Sequence, residues 1–228
     1  MLGLLKLNFS KFIIILTAVL LPHIALGCST YDYLTKEFEL YLENNYQGIA
    51  KRLYDNAVES TAKLNEECLD KYSIALGDIG IFEHVVFNQN KLHPVKGSWM
   101  HRYRVKRCGF DRVYNLYYFA NGGDLPKVFA GIMGETNASL QLTNDTLLAV
   151  HSIKSKLFPS CKTEEEVEQT FVVFNSKVIL FNNEKTKWSE EWDIKACSQR
   201  AKVKISFQLD GKGGAYYTLN ESESIKHE

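Results

Sequence analysis

Apolar and polar residues alternate with period two in two stretches of the chain. Trp99, His101, Tyr103 and Val105 interleave with Met100, Arg102, Arg104 and Lys106. Val203, Ile205, Phe207 and Leu209 interleave with Lys202, Lys204, Ser206 and Gln208. Such spacing sends successive side chains to opposite faces and predicts half-buried antiparallel strands. Asp210-Gly-Lys-Gly-Gly then predicts a turn into a further strand over 215–219. Ahead of each set the period lengthens to that of a helix. Leu34, Phe38, Leu42, Ile49, Leu53, Val58 and Leu64 predict a helical stretch from Tyr31 to about Asp70, broken near Asn44-Asn45 or Gly48. A shorter helix is predicted from Thr143 to Phe158, capped by Thr143 or Asn144 and stopped by Pro159. Thr163-Glu-Glu-Glu is a second candidate start, because acids suit a helix N-terminus.

The two stretches are related. Trp99, Tyr103, Val105 and Cys108 align with Trp188, Trp192, Ile194 and Cys197, each pair 89 residues apart by subtraction. Upstream, Val85-Val86-Phe87-Asn88 resembles Val172-Val173-Phe174-Asn175. Downstream, Phe119 and the Asn121-Gly-Gly turn match Phe207 and the Asp210 turn. A shared order of several matches points to duplication. The expected fold is therefore α+β in two related halves, each a helix followed by an antiparallel meander of about four strands. The expected division is a leader over 1–27, a first repeat over 28–123 and a second over 124–228.

The leader has the parts of an export signal. Lys6 and Lys11 precede the apolar run Phe12 to Leu21, and Ala25-Leu26-Gly27 offers small residues for cleavage. Pro22-His23 interrupts the run before it reaches the roughly 20 residues of a membrane span, and no later segment is long and apolar enough. Cys28 follows at once. An apolar run, small residues and then a cysteine resemble a bacterial lipobox, whose cysteine carries lipid, although Ala25 stands where leucine is usual. The alternative is plain cleavage after Gly27.

Cysteine number bears on that choice. The chain has five: Cys28, Cys68, Cys108, Cys161 and Cys197. Exported cysteines tend to pair, and five is odd. Lipid on Cys28 would leave four, and the repeat makes Cys68–Cys108 with Cys161–Cys197 the simplest of the three connectivities.

Composition narrows the function classes. Lysine plus arginine is 27 and aspartate plus glutamate is 27, so the net charge is zero, unlike that of a nucleic-acid binder. The repeated aromatics read as core filling rather than as a ligand platform. His84, His93 and His101 match no metal-ligand spacing, and no metal or cofactor is expected. If there is an acid/base site, its candidates are His93, His101, Asp111 and Glu83, since a histidine near neutral pKa suits proton transfer.

Trp188-x-x-Glu-Trp192-x-Ile-x-x-Cys197 followed by Asp-Gly-Lys-Gly-Gly resembles the C-terminal motif of uncharacterised secreted proteins and lipoproteins of Gram-negative bacteria, with Ser198 where glycine is usual. The resemblance covers about the last 45 residues and implies location, not activity. The expectation is an exported protein of the cell envelope, in the periplasm or at the outer membrane. It is read as a binding or structural module held to the membrane by lipid at Cys28, with a protein or small-molecule ligand. A periplasmic hydrolase built on the His/carboxylate residues and a secreted effector are the alternatives.

Overall fold

The computed structural model describes residues 35–45, 48–49, 51–53, 55, 72–107, 109–159, 161, 163, 167, 171–181, 186–211 and 214–220. The leader, Cys28, Cys68 and Cys108 lie outside them, and so do the expected lipidation site and the Cys68–Cys108 bridge.

Thr35 opens helix α1 (Lys36–Asn44) by accepting the Phe38 N–H at 3.2 Å, and Glu37 and Glu39 sit in its first turn, where negative charge is favourable. The helix stops at the expected Asn44-Asn45 break, where the Asn45 side chain donates to the Tyr41 carbonyl at 2.8 Å. Strands β1 (Tyr72–Val86), β2 (Lys96–Arg107), β3 (Phe110–Asn121) and β4 (Asp124–Ala130) then form one antiparallel sheet in chain order. Helix α2 (Leu140–Ser152) and the single turn α3 (Lys154–Leu157) follow. A second sheet in chain order comprises β5 (Val172–Phe181), β6 (Lys187–Ala196), β7 (Gln199–Leu209) and β8 (Ala215–Leu219). The sheets are separate, and the helix-then-meander order occurs twice.

Two local expectations are corrected. Ser139 caps α2, not Thr143 or Asn144: its Oγ accepts the Leu142 N–H at 3.3 Å. The helix starts at Leu140, so the buried stripe Leu142, Thr146 and Val150 and both expected cap residues lie inside it. The first repeat also does not end at residue 123. Gly122 and Gly123 are the turn of the β3–β4 hairpin, and β4 belongs to the first sheet, so the changeover lies at residues 131–139.

Register shows that the two halves are alike and refines their alignment. Trp99 faces Tyr118 and Leu116 faces Ala130; Trp188 faces Phe207 and Ile205 faces Leu219. Subtraction gives 89 for every one of these equivalent residues. Phe207 thus corresponds to Tyr118, not to Phe119. The Val85–Asn88 match is not structural. It falls where β1 ends, Val86 facing Lys96, whereas Val172 opens β5 and Val173 faces Ile194. The residue facing Val105, the counterpart of Ile194, is Ile74. β1 is 15 residues long and irregular in register, β5 is 10, and that difference breaks the constant offset.

Each helix covers the inward face of its own sheet. Phe38 meets Trp99 edge-on at 5.2 Å, and Trp99 stacks on Tyr118 at 5.3 Å; in the second half Trp188 stacks on Phe207 at 4.9 Å beneath α2. The paired tryptophans are core, as their repetition implied. The two cores are stitched together. Ile132 packs into the second and Met133 into the first, while Val172 and Phe174 of β5 reach the first core.

Cys161 and Cys197 are bonded, as expected, tying the segment after α3 to the β6–β7 turn across 36 residues. A loop of that length corresponds to about 3–4 kcal/mol of stabilisation. Cys197 and Ser198 form that turn with φ of 48° and 64°, a conformation unfavourable for side chains. Its counterpart in the first half uses Gly109, φ 77°. Ser198→Gly should therefore stabilise the oxidised protein by about 0.5–1 kcal/mol, net of the added freedom of the unfolded chain. Urea melts check this; an unchanged or lower midpoint would show that the turn is not strained.

Candidate functional site: the cleft between the halves

The segment 131–139 runs between the sheets and is held from both sides. From the first sheet, Asn115 Nδ2 donates to the carbonyls of Ile132 and Gly134, both at 2.8 Å. Arg102 donates to the Thr136 carbonyl, and Tyr117 Oη donates to that of Ala138 at 2.9 Å. The Gly134 N–H donates to the Val113 carbonyl at 2.8 Å. From the second sheet, Ser176 accepts the Glu135 N–H through its carbonyl at 2.7 Å, and its Oγ lies 3.1 Å from the carbonyls of Met133 and Glu135. These bonds bury Asn115 and Tyr117, and Met100, which faces Tyr117 on the neighbouring strand, is buried too, although alternation alone would send all three to a solvent face.

Glu190 completes the clamp. Its Oε1 accepts from Trp188 Nε1 at 2.8 Å, from the Asn137 N–H at 2.9 Å and from Thr136 Oγ1 at 3.1 Å; Oε2 accepts from Trp192 Nε1 at 2.9 Å. Complete burial pushes the carboxyl above its ordinary range, and the bonds from Trp192, Asn137, Trp188 and Thr136 pull it back. Sequence reasoning passed over this residue as a site. Its signal was a lone acid on the inward phase of Trp188, Glu190, Trp192 and Ile194.

Beside the clamped segment opens a cleft of about 540 Å³. Arg104, Asp111 and Arg112 wall it from the β2–β3 hairpin, Gly134 and Glu135 form its floor, and β5 with Lys195 and Arg200 walls it opposite. Arg104 pairs with Asp111 at 3.0 Å, and Lys106 reaches the same carboxylate at 3.7 Å. The Arg200 guanidinium lies 5.2 Å from the centre of the Phe174 ring. Among the described residues no carboxylate is within ion-pair distance of Lys177, Lys195 or Arg200.

The four acid/base candidates do not converge. Asp111 edges the cleft in its pairs with Arg104 and Lys106. Glu83 pairs with Lys96 at 3.1 Å. His93 Nδ1 meets Tyr41 Oη at 3.2 Å beside α1. His101 is inside the first core, edge-on to Tyr118 at 5.1 Å. It stands at the counterpart of Glu190, since 190 minus 89 is 101, but it binds no linker. Among the described residues its Nε2, Trp99 Nε1 and Tyr118 Oη are buried without hydrogen-bond partners.

Burial holds the His101 imidazole down at about 4, so it is neutral at neutral pH. An unfolded histidine titrates near 6.5. The contribution of His101 is therefore fully present above about pH 6.5 and is lost as pH falls toward 4, an effect of about 3 kcal/mol. Urea melts across that window should show the wild type losing more stability than His101→Leu. Parallel curves would show that His101 does not titrate with unfolding. Glu190 acts with the opposite sign but is common to both proteins.

Among the described residues no helix is long and apolar enough to cross a membrane, and no three His, Cys, Asp or Glu side chains are placed to hold a metal ion. Set against known protein families, characterised proteins and solved structures, the chain matches none.

Proposed function

We propose that this chain is an exported binding module of the cell envelope, tethered by lipid at Cys28, with a ligand seated in the cleft between its halves. The cleft carries the reading. Its two walls come from different sheets, and its floor is fixed by hydrogen bonds from both, so the site is preformed at an interface of the kind where ligands bind. Its volume of about 540 Å³ is within the usual range for small-molecule sites, roughly 300–1,000 Å³. The tether rests on the leader pattern and on cysteine number. With Cys161 bonded to Cys197, a Cys68–Cys108 bridge would leave Cys28 as the odd thiol. The hydrolase alternative has no observation in its favour, because its four side chains are spread over a hairpin, an edge strand, a loop and a core.

Both parts can be tested. Radiolabelled palmitate should enter the wild type and not Cys28→Ala; equal labelling, or none in either, disposes of the tether. For the cleft, thermal melts against a panel of neutral, cationic and anionic metabolites should show a raised midpoint with at least one class. Glu135→Trp, which fills the floor, should abolish that rise. A panel without any effect, or a rise that Glu135→Trp leaves intact, disposes of the binding site.

A further inference from the structure

We infer that the cleft takes a multiply charged phosphate-type oxyanion, held by Lys195 and Arg200 of the second half and faced by the arginines of the first. The inference rests on the binding reading above and names its ligand class.

The charge pattern along β6 and β7 is the main ground. Glu191 stands opposite Lys204, and Asp193 stands opposite Lys202, which also pairs with both acids at 3.1 and 3.6 Å. The next pair on the same face is Lys195 opposite Arg200. Two acid–base pairs thus give way to a base–base pair, and the change occurs where the ladder enters the cleft. Like charges directly opposite on neighbouring strands repel. Acids are not scarce in a chain with equal numbers of acidic and basic residues. Among the described residues neither Lys195 nor Arg200 has a carboxylate partner. An anion bound between them turns the repulsion into two charge-assisted contacts.

The surroundings have the same sign. Five lining side chains are Lys or Arg and two, Asp111 and Glu135, are acidic, an excess of three positive charges. The stack of Arg200 on Phe174 orients the guanidinium without using its N–H groups, which stay available for oxygen acceptors. A planar fork beside a lysine suits the tetrahedral oxygens of a phosphoryl group, whether on a free small molecule or on a lipid headgroup.

Inorganic pyrophosphate, titrated calorimetrically at low ionic strength, is the probe. The wild type should bind it, Arg200→Gln should weaken binding about tenfold or more, and Lys127→Gln on exposed β4 should change it less than about twofold. Lys195→Glu should raise the melting temperature of the ligand-free protein, by pairing with Arg200, while abolishing binding. Sedimentation with phosphatidylglycerol vesicles, against phosphatidylcholine vesicles, separates the sources. Binding to both pyrophosphate and vesicles assigns the site to phosphoryl groups in general, and to pyrophosphate alone, to soluble phosphates. Absence of binding to either probe overturns the inference, as do equal effects of Arg200→Gln and Lys127→Gln, or a lower melting temperature in Lys195→Glu. If only neutral or cationic metabolites raise the melting temperature in the panel, this inference falls and the binding reading stands.

Discussion

Gly134→Ala should lose 4 kcal/mol or more of stability, on the order of a severe core mutation, and should lose the cleft with it. A Cβ at this position would lie 2.0 Å from the Ser176 nitrogen and 2.3 Å from its carbonyl oxygen. Both are backbone atoms of β5, so no rotamer change relieves the clash. The residue also has a φ of 97°, where a side chain is strained in any case. Relief requires the segment to leave β5 or β3. Leaving breaks the bond from the Glu135 N–H to Ser176, that from the Gly134 N–H to Val113, or that from Asn115 to the Gly134 carbonyl, all inside the protein. Gly109→Ala is the control. It has a φ of 77° with open space around it, and should lose only about 1–2 kcal/mol. Urea denaturation of both variants separates close approach from backbone strain. Similar losses would mean that the two halves can part slightly at little cost.

Glu190→Ala should be the next most damaging change, at about 3–5 kcal/mol. It leaves two indole N–H groups, the Asn137 N–H and the Thr136 hydroxyl without their shared acceptor, in a site with no access to solvent. Each stranded donor carries a desolvation cost of about 1–3 kcal/mol, and the side chains relax only in part. Glu190→Gln keeps the shape and one acceptor oxygen but turns an amide toward a donor, so its loss should be smaller. Its pH dependence is diagnostic. Burial raises the folded carboxyl above its unfolded value, so the wild type gains stability in acid and loses it as pH rises through the folded value. The deficit of Glu190→Gln should therefore widen in acid. A deficit that narrows below neutral pH would mean that the four donors outweigh burial and hold the carboxylate ionised.

Set side by side, the two halves treat one strand position in two ways. The duplicated scaffold keeps Trp99 and Trp188 stacked in the same register. In the second half the buried polar residue two places on is an acid that fastens the linker; in the first it is a neutral histidine that fastens nothing described. At this strand position only the second half fastens the linker; the first sheet holds it from other positions, Arg102, Asn115 and Tyr117.

Much of this architecture is readable in the chain itself, for local reasons. A strand with one buried face must alternate, so β2 and β7 are visible as period two, and Asn44-Asn45 and Pro159 mark the helix ends. The spacing of 89 residues carries over because β2, β3 and β4 fold with their own neighbours, through hairpins of the same length in both halves. The same local pairing brings Cys197 to a turn that Cys161 can reach. What only the tertiary structure decided depends on contacts between distant residues. Asn115 and Tyr117 are buried because the segment 131–139 crosses the outer face of the first sheet, which no period in β3 records. Glu190 looked like an interruption in an apolar pattern until two indoles and a linker 53 residues away converged on it. The cleft exists because a β2–β3 hairpin and the β5–β7 ladder were brought face to face, and only then does the opposition of Lys195 and Arg200 acquire a meaning.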